Sequence, residues 1–127
     1  MSAETTKTTA ERLVALCRAH QEDVALAELY RADAVSVEAT AMPGTQSAAT
    51  EGLDGIKGKH AWWDANFEVH SAEVEGPFLH GEDRFGVIFS LDATETASGE
   101  RSAMKELGVY HVDDGGKIFR EEFYYTS

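Results

Sequence analysis

Near residue 68 the hydrophobic period of this chain changes for good, and no other feature limits its fold as much. Before that point apolar residues recur at steps of three and four; after it they alternate. Ala10, Leu13, Val14, Leu16 and Cys17 predict a helix over residues 9–19, behind a Thr8-Thr9-Ala10-Glu11 capping box. Residues 1–7 read as a flexible tail and residues 8–126 as one domain. Val24, Leu26, Ala27, Leu29 and Tyr30 predict a second helix over 21–30. Leu53, Ile56, His60, Trp63 and Phe67 share one face of a third, over 53–67. Between helices two and three, Val35 and Val37 alternate with Ser36 and Glu38, a strand pattern over 34–39. Met42 to Ser47 has loop composition.

Beyond Val69, turn signals separate four apolar runs. They are Gly76-Pro77, His80-Gly81-Glu82-Asp83, Ala97-Ser98-Gly99 and Asp113-Asp114-Gly115-Gly116. The strands expected between them are 69–79, 84–95, 101–112 and 117–125. Tight turns between successive strands give an antiparallel meander. The fold class is therefore α+β, with helices covering one sheet face. Phe85, Val87, Phe89 and Leu91 form the apolar face of their strand. The last strand carries Phe119, Glu121, Phe123 and Tyr125 on one face, and Ile118, Arg120, Glu122 and Tyr124 on the other. Large side chains on both faces predict burial on both, which a homodimer through the outer sheet face would supply.

Charge and cysteine content exclude several function classes. The formal net charge is −12, and both halves are acidic. Nucleic acid is not an expected partner, because phosphate binding needs a positive footprint. No run of 18 apolar residues is present, so no membrane span is expected. Without a signal-peptide pattern, and with Cys17 as the single cysteine, a cytoplasmic location is the default. One thiol builds neither an internal disulfide nor a cysteine-built zinc site. His20, His60, His70, His80 and His111 show no ligand spacing, so no metal is expected. The glycines of 52–58 lack the Gly-Lys-Ser/Thr ending of a phosphate loop, and no cofactor is expected.

Several strings carry a family resemblance. They are Glu28-Leu29-Tyr30-Arg31-Ala32-Asp33-Ala34-Val35-Ser36-Val37-Glu38 and Glu51-Gly52-Leu53-Asp54-Gly55-Ile56-Lys57-Gly58-Lys59. Gly108-Val109-Tyr110-His111-Val112 and Gly116-Lys117-Ile118-Phe119-Arg120-Glu121-Glu122-Phe123-Tyr124-Tyr125 add to them. With the order of elements, they resemble the SnoaL-like branch of the nuclear-transport-factor-2-like (cystatin-like α+β) superfamily. The resemblance implies three N-terminal helices in the concave face of a curved, mainly antiparallel sheet. It also implies a cone whose mouth takes a small, mostly apolar molecule, and a dimer. It does not choose among isomerases, cyclases, dehydratases and non-enzymes, since one fold hosts many functions.

Two glutamates are the catalytic candidates. Periodicity alone makes Glu38 a solvated strand carboxylate, opposite Val35 and Val37. The resemblance instead puts it where ketosteroid isomerase carries its general-base aspartate. Glu106 shares a face with Met104, Gly108, Tyr110 and Val112, so it points inward if Tyr110 does. Two converging carboxylates would repel, one keeping its proton, which makes an acid–base pair. The oxyanion donors of ketosteroid isomerase fall at Leu13 and Gly108, which cannot donate from a side chain. The Asp-Arg-Asp set of the related epoxide hydrolases has no match, although Asp92 and Arg101 lie in strands. Candidate substrate contacts are Trp63, His60, Phe89, Tyr110, Phe123 and Tyr125, each of which could instead be core. Glu121 is a third pocket carboxylate, or else an ion-pair partner of Arg120 or Lys105.

Overall fold

The computed structural model describes residues 3–41 and 47–126. Two helices, α1 (Ala3–Arg18) and α2 (Glu22–Leu29), precede strand β1 (Tyr30–Val37). A short strand β2 (Ala49–Glu51) leads into α3 (Leu53–Asn66). Four strands follow: β3 (Phe67–His80), β4 (Arg84–Glu95), β5 (Arg101–Val112) and β6 (Ile118–Tyr124). One curved sheet holds all six in the order β2-β1-β6-β5-β4-β3. Every neighbouring pair is antiparallel except β1 and β6, which run parallel.

The larger core lies where α1 crosses the sheet. Leu13, Val14, Leu16 and Cys17 pack with Phe85, Val87, Tyr110, Val112 and Ile118. A smaller cluster joins Leu26, Ala34 and Ile56, with Tyr30 and Leu53 against it. The Phe85/Val87/Phe89/Leu91 face of β4 is the concave one, with Phe85 and Val87 fully buried. Gly108 lets three rings close over β5. A Cβ there would lie 3.0 Å from Tyr110, and 3.2 Å from both Phe123 and Phe89.

Four expectations are corrected. First, α1 begins by Ala3, so residues 3–7 are helix rather than tail, and Thr8 and Thr9 are not a cap. Thr8 donates to the Glu4 carbonyl (3.0 Å) and Thr9 to the Gly116 carbonyl (2.7 Å), while Thr6 donates to Glu82 (2.5 Å). Tertiary partners for Thr6 and Thr9 extend a helix whose N-terminal residues carry little apolar signal of their own. Second, β1 starts at Tyr30, at the end expected for α2, and β2 was not foreseen at all. Third, the inner face of β1 is Ala34 and Ser36, both fully buried, whereas Val35 and Val37 are half-buried on the outer face. Fourth, Ile118 rather than Phe119 joins Glu121 and Phe123 inside. Between Ile118 and Arg120, β6 carries one extra residue against β5, and one extra residue reverses the side on which the next side chain emerges; against β1 the irregularity lies on β1, between Tyr30 and Val35. Phe119 therefore lies outside, 36 % exposed, beneath the Arg31 guanidinium (5.6 Å to the ring centre). Of the loop expected over Met42–Ser47, residues 42–46 lie outside the described residues, and Ser47 is in neither helix nor strand.

The close approach at Gly108 makes a direct prediction. Gly108→Ala must push aside three rings, so it should lose about 1–3 kcal/mol of stability by overpacking. Urea unfolding monitored by tryptophan fluorescence measures this.

Candidate active site

The concave face is apolar over α1 and polar at the end nearer α3. Glu121, on β6 opposite Ser36 of β1, is only 1 % exposed. Two hydroxyls satisfy its carboxylate: Tyr30 donates to Oε1, and Ser36 donates to Oε2 at 2.8 Å. Neither Arg120 nor Lys105 pairs with it; Arg120 bonds Glu122 instead (3.1 Å). Burial, and then the Glu121 charge, hold the Tyr30 hydroxyl well above its ordinary pKa, so it remains a donor.

Lys59 continues the chain. It lies one helical turn after the fully buried Ile56 on α3. Its Nζ donates to Ser36 Oγ (2.5 Å) and to Glu38 Oε2 (3.0 Å), and stands 5.3 Å from the centre of the Phe123 ring. The Lys59 and Glu38 side chains are only 10 % and 17 % exposed. Glu38 directly follows β1, and its backbone N–H donates to the Ala48 carbonyl (2.9 Å). The Tyr125 hydroxyl reaches Glu38 Oε1 at 3.4 Å.

Glu106 closes the group from β5. Burial, reinforced by the charge of Glu38 and more weakly by Glu121, pushes its carboxyl up to about 7, while the Lys59 ammonium pulls the other way. The Tyr125 hydroxyl is also raised, first by burial and then by Glu38, with Glu106 a smaller contributor. Three glutamates and one lysine thus converge between strands otherwise lined with rings. The depression reaching Glu38 is an open cleft of about 210 Å³, walled also by Phe123 and Tyr125. It is smaller than the roughly 300–1,000 Å³ of typical ligand pockets.

The remaining sequence candidates divide. Tyr110 is buried, stacked on Phe85 (5.0 Å between ring centres), with Phe123 edge-on at 6.3 Å. Phe89 packs against the same core. Trp63 stacks on Phe67 at 4.0 Å. His60, next to Lys59, is half-buried and has no hydrogen bond to the cluster among the described residues. Asp92 and Arg101 form a two-bonded ion pair (2.8 and 2.9 Å) that is largely exposed, on the outer face of β4. Burial pushes the Cys17 thiol up to about 12, which removes it as a nucleophile near neutral pH. No group of three or more His, Cys, Asp or Glu side chains among the described residues is arranged to hold a metal ion.

Sequence reasoning missed Lys59, Ser36 and Tyr30. A signal for Lys59 existed. It stands three residues after Ile56 and four before Trp63, on the apolar stripe itself, where a charge needs a partner.

The sequence profile of the SnoaL-like domain matches residues 4–125. The chain belongs to the SnoaL-like family. No curated protein sequence matches it. Among solved structures, a candidate SnoaL-like polyketide cyclase from Mesorhizobium loti is 36 % identical. Its TM-score is 0.86, over 94 % of this chain and 97 % of that one. Rv0760c from Mycobacterium tuberculosis, in complex with estradiol-17β-hemisuccinate, is 21 % identical with a TM-score of 0.65, over 99 % and 95 %. The Δ5-3-ketosteroid isomerase from Mycobacterium sp. is 17 % identical with a TM-score of 0.66, over 99 % and 95 %. The last two share the fold with this SnoaL-like domain.

The raised Glu106 value has a thermodynamic consequence. Its folded value exceeds the ordinary carboxyl value of 4.5, so between these limits the native state binds more protons than the unfolded chain. Stability then falls as pH rises through this window and levels off above about 7. At about 1.36 kcal/mol per unit, Glu106 should cost about 2–3 kcal/mol between pH 5 and 8. Glu106→Gln should flatten that slope in urea-unfolding curves taken across the range.

Proposed function

We propose that this SnoaL-like domain is a cofactor-independent general acid–base catalyst. It acts on a small, largely apolar substrate, by isomerisation, cyclisation or dehydration. The observation that supports this most is Glu106: a largely buried carboxyl group opposite Phe89 and within the field of Glu38, which lines the cleft, balanced between its two protonation states near neutral pH. The two glutamates divide the work. Glu38 is held by Lys59 and Tyr125, so its negative charge serves to raise Glu106. Glu106 is the group that takes and returns the proton. Phe123 and Tyr125 offer ring faces to the apolar body of the substrate, and the more remote Trp63, Phe89 and Tyr110 support the aromatic wall.

A second reading is a binding protein without turnover. The ion pair occupying Glu38 and the small open cleft favour it. In either reading the outer sheet face suits a second copy of this chain. Leu107 and Tyr124 pair across β5 and β6 there, 38 % and 55 % exposed.

Carbon-13 NMR of labelled glutamates tests the catalytic reading. One carboxyl should titrate near 7, and the signal should disappear in Glu106→Gln. Glu38→Gln should lower that midpoint, because a neighbouring negative charge is lost. Lys59→Met should raise it, because a positive one is lost. Ordinary midpoints near 4.3 for all glutamates would defeat this assignment. Turnover of a carbonyl-compound panel, lost in Glu106→Gln, would decide against mere binding.

A further inference from the structure

Removing a proton beside a carbonyl group leaves negative charge on the carbonyl oxygen. The barrier falls only if preset donors meet that charge. The hydroxyls around the cluster are largely committed: Tyr30 and Ser36 donate to Glu121, and Tyr125 points at Glu38. Tyr110 is sealed between Phe85 and Phe123. Lys59 is different. An ammonium has three N–H donors, and Lys59 spends two, on Glu38 and Ser36. Its nitrogen lies against Phe123, and Phe123 and Glu38 both wall the cleft. Ser36 must accept from Lys59, because its own proton goes to Glu121. The hydrogen bonds converge on Glu121, from Lys59 through Ser36 on one side and from Tyr30 on the other, and they hold the ammonium in place from within the core.

We propose that Lys59 is a further catalytic residue of this site, donating its third N–H to the oxygen of an enolising carbonyl substrate. The substrate class is then a small carbonyl compound with an acidic α-hydrogen. This rests on the acid–base reading of Glu106 given above. The Glu106 carboxylate takes the α-proton, and the C–H electron pair becomes the new Cα–C double bond. The carbonyl π pair moves to oxygen and is met by Lys59. Charge is conserved, since the negative charge leaves Glu106 as it appears on the substrate. Return of the proton from Glu106 to carbon restores the carboxylate. No oxidant, reductant or other reactant is needed. Lys59 also counters the field of Glu38 and Glu121, which would otherwise oppose an oxyanion in this acidic cluster.

Deuterium exchange at the α-carbon of ethyl acetoacetate in D2O, followed by proton NMR, separates this proposal from the reading beneath it. Wild-type protein should accelerate exchange. Lys59→Met should lose about 100-fold or more of that acceleration, the usual effect of deleting an oxyanion donor, and Lys59→Arg should recover part of it. Loss in Glu106→Gln with full activity in Lys59→Met would overturn the role of Lys59 and leave the acid–base reading standing. No acceleration by wild type, or full activity in Glu106→Gln, would overturn both. Absorbance of 4-nitrophenol bound at pH 6 gives a readout that a merely structural lysine would not move. Wild type should hold it as the phenolate and Lys59→Met as the phenol. An equal phenolate fraction in the two, with circular dichroism showing both folded, would also overturn the proposal.

Discussion

The carboxylate of Glu121 is the interaction on which the polar half of this domain depends. Taking a charged group out of water costs several kcal/mol unless its oxygens find donors. Glu121 finds them on a single neighbouring strand, Tyr30 at its start and Ser36 near its end. Those two bonds tie β1 to β6 through side chains in addition to the parallel ladder. They also set the proton direction of Ser36, which in turn seats Lys59. A core residue thereby governs the geometry of groups that reach the cleft.

The two halves of the concave face solve different problems. Over α1 the rings of Phe85, Tyr110 and Phe123 fill space, and Gly108 permits their approach. Near α3 the residues are charged and mutually dependent. Lys59 pairs with Glu38 and Glu121 rests on two hydroxyls, whereas burial and the charge of Glu38 raise the Glu106 carboxyl. The aromatic half supplies a firm backing, since packed rings resist displacement more than a solvated surface would.

Much of the strand framework was legible in the order of residues. The bounds of β4 and β5 coincide with those drawn from turn chemistry, and α3 begins at Leu53 as its periodicity indicates. The candidate site was legible only in part. Glu106 was found because its strand alternates cleanly with Tyr110 and Val112. Glu38 was found through family resemblance, against its own periodicity. Val35 and Val37 marked the wrong face of β1, because the polar side chain that belongs inside, Ser36, is matched by an acid 85 positions away. Phe119 marked the wrong face of β6, because a bulge is a property of paired strands and leaves no hydrophobic signature in one of them.

Local chemistry alone therefore determined the element order apart from β2, the α+β class, the hairpin turns and the acidic character of the chain, since periodicity and turn preference act over a few residues. Tertiary structure decided which face of β1 and β6 looks inward, where α1 begins, and that Lys59 on α3 meets Glu38 at the end of β1. Those outcomes turn on whether a polar group finds its partner after folding, and the partners stand on strands and helices far apart in the chain.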